Sequence, residues 1–190
     1  MDRRIYKNID LITVSKYFNL YVFISFMGWL WETLYVFLNT GELHDRGFLT
    51  LPLCPIYATV LVSAYLLLGT IKEERGIMRY VGSSNARALI YLCLCFILPT
   101  IAELLVGAFF LGVFDMRLWD YSALNYNTAG HIALEISALW SLGIFIFMNK
   151  VFPKIKSIVF KTNARVSRIM ATILASAIFI DLAIAIMNAK

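Results

Sequence analysis

Apolar runs long enough to cross a bilayer constrain this chain more than any other feature. A helix of about 20 apolar residues matches the ~30 Å hydrocarbon core of a membrane. Five such runs are legible, at 17–38, 50–69, 86–110, 129–149 and 166–188. Inside lipid each backbone N–H and C=O must be satisfied within its own segment, so helices are predicted. Charged residues make up 15% of the chain, against about 25% in soluble domains. With a mean hydropathy of +0.76, polar surface is too scarce to clothe a water-soluble globule. The expected fold is all-α, a polytopic helical membrane protein forming a single transmembrane domain over residues 1–190.

The basic residues set the expected orientation. Fourteen of the 17 fall in three stretches, 1–16, 70–87 and 150–168; only Arg46, Arg117 and Lys190 lie elsewhere. Five alternating spans place these stretches on one side. The positive-inside rule makes that side cytoplasmic, giving a multi-pass cell-membrane protein with its N-terminus inside and its C-terminus outside. The same bias accounts for the net charge of +5. No basic-aromatic module calls for a nucleic acid. The first apolar run is too long for a cleavable signal core, and no small-residue cleavage site follows it.

The cysteines form no framework. Cys93 and Cys95 fall within the third span and Cys54 lies in "LPLCPIY", where a prolyl-flanked cysteine is more often a packing residue than a nucleophile. No Gly-rich phosphate loop occurs, so ATP hydrolysis would require a separate subunit. No cofactor and no metal are expected.

Four acids fall inside the spans: Glu32, Glu103, Glu135 and Asp181. A charged carboxylate at mid-bilayer costs about 2.5–3.5 kcal/mol on insertion scales. Such groups are expected to face the bundle interior, to pair with cations, or to be protonated. The alternation of spans puts all four in the outer half, the side on which Arg46 and Arg117 also lie. "ETLYVFLNTGELHDR" from Glu32 and "ELLVGAFFLGVFDMR" from Glu103 share Glu, Leu, Gly and Arg at one constant offset. Two helix hairpins running in the same direction, a parallel repeat with an extra fifth helix, are the expected consequence. Glu32, Glu103, Arg46 and Arg117 are expected to form one buried charged cluster; the plainer alternative is that the Glu–Arg pairs simply lock the hairpins together.

"RLWDYSALNYNTAGH", residues 117–131, concentrates hydrogen-bonding groups between two apolar runs. It is expected to be an ordered capping or re-entrant segment, with Arg117 reaching inward to a carboxylate. Trp119, Asp120 and Asn127 should then be mostly buried, and Asn127 or Thr128 should cap the fourth helix. A solvated outer loop is the alternative. His131 and Glu135 are spaced i, i+4, which on a helix can ligate a metal; a hydrogen-bonded structural histidine is the plainer reading. Pro99, four residues before Glu103, is expected to kink the third helix. Trp29, Trp31, Trp119 and Trp140 partly fit an interfacial belt.

These residues carry a resemblance. Gly28, Glu32, Arg46-Gly47-Phe48 and Cys54-Pro55-Ile56-Tyr57, followed by Glu103, Arg117 to Ser122, Asn127, Gly130 and Trp140, are similar to the pattern of the bacterial membrane proteins, mostly from Firmicutes, grouped as Putative ABC-transporter type IV. The resemblance covers residues 20–153, and departs from the pattern at Ala58, where glycine is expected, and at His131, where another basic residue is expected. It implies a transport permease and assigns no substrate or catalytic residue.

The function expected first is a small permease-like transport protein with a polar cavity in the outer half of the bilayer. Glu32 and Glu103 would bind a cation, a proton or a cationic group. Arg46 and Arg117 would balance charge or engage an anion. Asp120, Tyr121, Ser122 and Asn127 would cap the site, with His131 and Glu135 beside it. Its partners would be the lipid bilayer, a separate ATPase subunit and, in a homo-oligomer, further copies of itself. A membrane-embedded enzyme acting on a lipid or envelope precursor, using a carboxylate or His131 as base and the arginines to hold phosphate, is the alternative. A non-catalytic scaffold or sensor is a third.

Overall fold

The computed structural model describes residues 10–43, 47–73 and 75–188, without the side chains of Asn39 and Ile77. Arg46, Lys190 and the N-terminal Arg3, Arg4 and Lys7 lie outside them, so their expected roles do too. Among the described residues six α-helices run in chain order: α1 Leu11–Thr40, α2 Pro55–Leu68, α3 Ser84–Phe114, α4 Leu134–Ile146, α5 Phe152–Lys161 and α6 Ala164–Asn188. Four helical stretches among the described residues are long and apolar enough to cross a membrane, Leu11–Leu38, Ser84–Phe114, Leu134–Lys161 and Ala164–Asn188, with Pro55–Leu68 a shorter apolar helix. The chain is an all-α, multi-pass membrane protein. Its long helices leave large side chains such as Leu105, Phe109, Ile173 and Phe179 uncovered by protein, as lipid-facing surfaces require.

Two of the expected spans need correction. The second does not begin as a helix at Thr50. Pro52 and Pro55 bias the residues before them away from helical geometry, and Pro55 instead opens α2 at its first turn, where its missing N–H is no loss. At 14 residues, α2 is about 21 Å long, short of the bilayer core. The fourth helix starts at Leu134, five residues later than expected, because residues 127–133 are taken up by a hairpin. It then continues through a π turn at Phe147–Val151 into α5, so much of the 150–168 stretch is helical. Pro153 has no N–H to donate, and the widened turn just before it absorbs that break.

α1 packs between α2 and α6, and α3 packs along α4. The principal core joins α1, α2, α3, the π turn and α5 through Leu20, Ile24, Tyr65, Tyr91, Met148 and Phe152, all buried. Two ends follow from the contacts. At one end Lys16 Nζ donates to the Phe160 carbonyl at 2.6 Å, Asn19 donates to Ser167 and Lys156 meets Glu73, so the described parts of the three basic stretches gather there. At the opposite end Phe48 packs on Phe110 and Phe114 at the close of α3.

The chain between α1 and α2 descends into the bundle. Cys54 N–H donates to the Ser25 carbonyl at 3.0 Å; Ser25 lies 15 residues before the end of α1, about 22 Å down the helix. Non-helical backbone at such depth must find partners within the protein. Leu53 N–H donates to Leu51 O at 2.6 Å, and Leu51 N–H donates to Asp181 Oδ2 at 3.1 Å. The Thr50 hydroxyl donates to the other Asp181 oxygen. Pro52 and Pro55 carry no donor at all. Leu49, Leu53 and Cys54 are buried. The expected in-membrane acid Asp181 therefore has a structural partner: it closes off the backbone of a re-entrant segment.

Candidate functional site

Glu32 of α1 and Glu103 of α3 meet at one cavity of about 80 Å³, whose walls include Tyr35, Tyr57, Pro99, Trp119, Tyr121 and Trp140. The carboxylates lie about 12 and 16 Å from the ends of their helices, by residue count and helical rise. Both are half-buried. The Cys54 thiol donates to Glu32 Oε2 at 3.6 Å. Glu103 makes no hydrogen bond or ion pair among the described residues. α3 continues unbroken through Pro99, whose ring faces the cavity.

The aromatic wall is held by close helix approach. The Trp140 ring of α4 lies 6.0 Å from those of Tyr57 and Tyr35 and 6.3 Å from Trp31, so it joins α1, α2 and α4. Tyr57 reaches this position because Gly28 faces it. A Cβ there would come within 2.6 Å of the Tyr57 ring, closer than carbon atoms tolerate.

The 117–131 segment is ordered, but its internal pairing differs from expectation. Arg117 does not reach a membrane carboxylate; its Nη1 pairs with Asp120 Oδ1 at 3.3 Å, and both side chains are nearly half exposed. Ser122 N–H also donates to Asp120 Oδ1, at 2.9 Å. That bond, with Arg117 nearby, holds the Asp120 carboxyl below the usual carboxylate range. Asp120 is thus exposed rather than buried, whereas Trp119 and Asn127 are half-buried. Asn127 does not cap α4: its Nδ2 donates to Leu124 O at 2.6 Å and its Oδ1 accepts from Gly130 N–H at 3.0 Å. The residue before α4 is Ala133, without a side-chain cap, and Leu134 N–H is met by Tyr126 O at 2.9 Å.

The hairpin explains these differences. β1, Asn127–Thr128, pairs antiparallel with β2, Ile132–Ala133. Ala129 and Gly130 at its tip have φ of 52° and 75°, the handedness that suits tight hairpins. His131 consequently lies in the turn, not on α4, so it shares no helical face with Glu135. It is buried against Gly107 of α3, where a Cβ would sit 2.7 Å from its Nδ1. Trp119 Nε1 donates to His131 O at 2.8 Å. Glu135 is exposed in the first turn of α4, where the helix dipole favours an acid. The segment delivers Trp119 and Tyr121 to the cavity wall; Arg117, Asp120, Asn127 and His131 build the hairpin that carries them. Among the described residues no group of three or more His, Cys, Asp or Glu side chains is arranged to hold a metal.

A second polar cluster, which sequence reasoning missed, occupies the basic end. The hydroxyl of fully buried Tyr65 donates to Glu73 Oε2 at 2.5 Å and accepts from Arg75 Nη2 at 3.0 Å and from Lys156 Nζ. Lys156 Nζ is also 3.2 Å from Glu73 Oε2. Arg75 Cζ and Lys156 Nζ each lie 4.6 Å from the Tyr65 ring centre, within cation–π range. The Tyr65 bond, followed by Lys156 and Arg75, holds the Glu73 carboxyl below its ordinary range. Tyr91 Oη donates to Gly69 O, and Ile71 N–H donates to Asn149 Oδ1 in the π turn, so the 69–75 connection is fixed by α3, α5 and the turn between α4 and α5. The signal in the sequence is a pair of acids, Glu73 and Glu74, between Lys72 and Arg75 in an otherwise basic connection.

No curated protein and no solved structure matches this chain. One family model does, over residues 19–186, which takes in α2 to α5, nearly all of α6, most of α1, both cavity glutamates and the hairpin. The chain belongs to the Putative ABC-transporter type IV family.

Proposed function

We propose that this chain is the membrane-embedded transport subunit of an ABC-type system, binding a cationic group in the Glu32–Glu103 cavity. One observation carries the reading: two carboxylates 71 residues apart in sequence share a single cavity walled by aromatic rings. An unpaired carboxylate in a bilayer is costly, and Glu103 bears that cost among the described residues without an ion pair. Arg46 would balance Glu32, and the 117–131 hairpin would act as the lid through Trp119 and Tyr121.

The proposed topology has five crossings within one transmembrane unit, cytoplasmic N-terminus and external C-terminus, with α2 completing its crossing through the re-entrant 47–54 segment. α1–α2 and α3–α4 would be two related hairpins and α6 an added helix. The match is loose at its glycines: Gly41 caps the end of α1, whereas Gly112 lies inside α3. The chain carries no phosphate-binding loop, so a separate ATPase would dock at the basic end.

Two measurements test this. Lys190→Cys should label from outside and cysteines in the 150–168 stretch from inside. ATP-dependent movement of radiolabelled tetramethylammonium by vesicles containing the chain and its copurifying ATPase should be lost in Glu103→Gln. Failure to recover any ATPase, or full transport by Glu103→Gln, would overturn the proposal.

A further inference from the structure

Glu32, Ile56, Val60 and Trp119 line the carboxylate cavity and also a second, larger space of about 470 Å³. Shared wall residues place the two side by side. The larger chamber lies among α1, α2, α3 and α6 and is walled mainly by apolar groups, among them Phe48, Ala102, Val106 and Leu182. It extends along α1 from Glu32 past Ser25 to Phe18, about 21 Å by helical rise. Ser25 is 1% exposed, lines the chamber, and its hydroxyl makes no hydrogen bond among the described residues. A serine within a helix ordinarily satisfies itself on a carbonyl four residues back, as Ser15 does on Leu11. The Ser25 hydroxyl is left for something else.

We infer that cavity and chamber form one bipartite site for an amphipathic organic cation. This rests on the cation-binding reading above and names its substrate class. The head would sit by Glu103, with Tyr57 and Trp140 supplying the aromatic faces that attract ammonium groups. A bare metal ion is a poorer fit, since among the described residues no group of three or more His, Cys, Asp or Glu side chains could hold one and the cavity wall is otherwise largely aromatic and aliphatic. The tail lies in the chamber, where Ser25 offers a hydrogen bond midway along the α1 wall. Each methylene buried there strengthens binding by about fourfold relative to water.

The test uses the full chain in phosphatidylcholine nanodiscs, with tryptophan fluorescence reporting on Trp119 and Trp140. Tetramethylammonium, hexyltrimethylammonium, hexanol and hexanoate are titrated, with empty nanodiscs correcting for partition into lipid. Hexyltrimethylammonium should bind at least tenfold more tightly than tetramethylammonium, and hexanol and hexanoate should not bind. Glu103→Gln should weaken both cations at least tenfold. Ala102→Phe, which fills the chamber, should erase the advantage of the tail and leave tetramethylammonium unchanged; Val106→Phe is a second filling variant, and thermal melting establishes that each is folded. If tetramethylammonium binds through Glu103 but the tail adds nothing, or folded filling variants keep its advantage, the bipartite site is overturned and the cation cavity stands. If neither cation binds, or Glu103→Gln binds both normally, both readings fall.

Discussion

Replacing Asp181 with leucine tests how the re-entrant segment is held. In the wild type this buried carboxyl accepts from Leu51 N–H at 3.1 Å and from the Thr50 hydroxyl. Leucine has similar bulk and no acceptor, so the change isolates the hydrogen bonds from packing. A buried donor left without a partner costs about 1–3 kcal/mol. The Thr50 hydroxyl can turn to another acceptor, so its loss is nearer 1 kcal/mol. The sum is about 2–4 kcal/mol, concentrated on residues 49–54 and not spread over the bundle. Asparagine keeps one acceptor oxygen, so Asp181→Asn should recover about half of the loss. Thermal unfolding in nanodiscs would show the order wild type, Asn, Leu, and hydrogen exchange would show faster exchange at the Leu51 amide in the leucine variant. If Asp181→Leu melts with the wild type and Leu51 stays protected, Asp181 does not hold this segment and its burial needs another explanation.

Other expectations follow from single contacts. Gly107→Ala places a Cβ 2.7 Å from His131 Nδ1; overpacking of this kind costs about 1–3 kcal/mol, and lowered protection of residues 117–133 in hydrogen exchange would locate the damage at the hairpin. Ala129 holds φ of 52°, a conformation that costs a residue with a Cβ about 1 kcal/mol, so Ala129→Gly should raise the melting temperature slightly. Glu73 has a depressed carboxyl pKa when folded, so its contribution is present above the unfolded value of about 4.3 and is lost as pH falls through the lower folded value. Glu73→Gln should flatten that acid limb of the stability profile, and an unchanged limb would count against the Tyr65–Glu73–Lys156 cluster.

The basic-end cluster and the cavity lie at different levels of the bundle, yet both use α2. Tyr57 near its start faces the glutamates, and Tyr65 near its end binds Glu73. Because α2 is short, its position depends on the segment before it, and that segment is tied to Asp181. A change at the end of α6 would therefore be felt at Tyr57 through the backbone of residues 50–54. This coupling requires only contacts already described.

Membrane class, helical structure and the gathering of basic residues were legible in the chain because they depend on sums of local properties. Hydrophobicity over 20 residues determines insertion, and the count of lysines and arginines in each connection separates its two sides. Glu32 and Glu103 stood out for the same reason: a carboxyl in an apolar run is anomalous without knowledge of its neighbours. Partnership was not legible. Arg117 prefers Asp120 three residues away to any membrane acid, because a local pair needs no burial of charge. His131 and Glu135 had helical spacing but no shared helix, since Ala129 and Gly130 turn the chain at His131 before α4 begins. The second span was expected to run through the two prolines of "LPLCP", and nothing local says that this stretch would leave the helix and descend into the bundle. Only the packing of α6 brings Asp181 to Thr50 and Leu51, 130 residues away in sequence, and a backbone donor inside a membrane takes whichever acceptor the fold puts within reach.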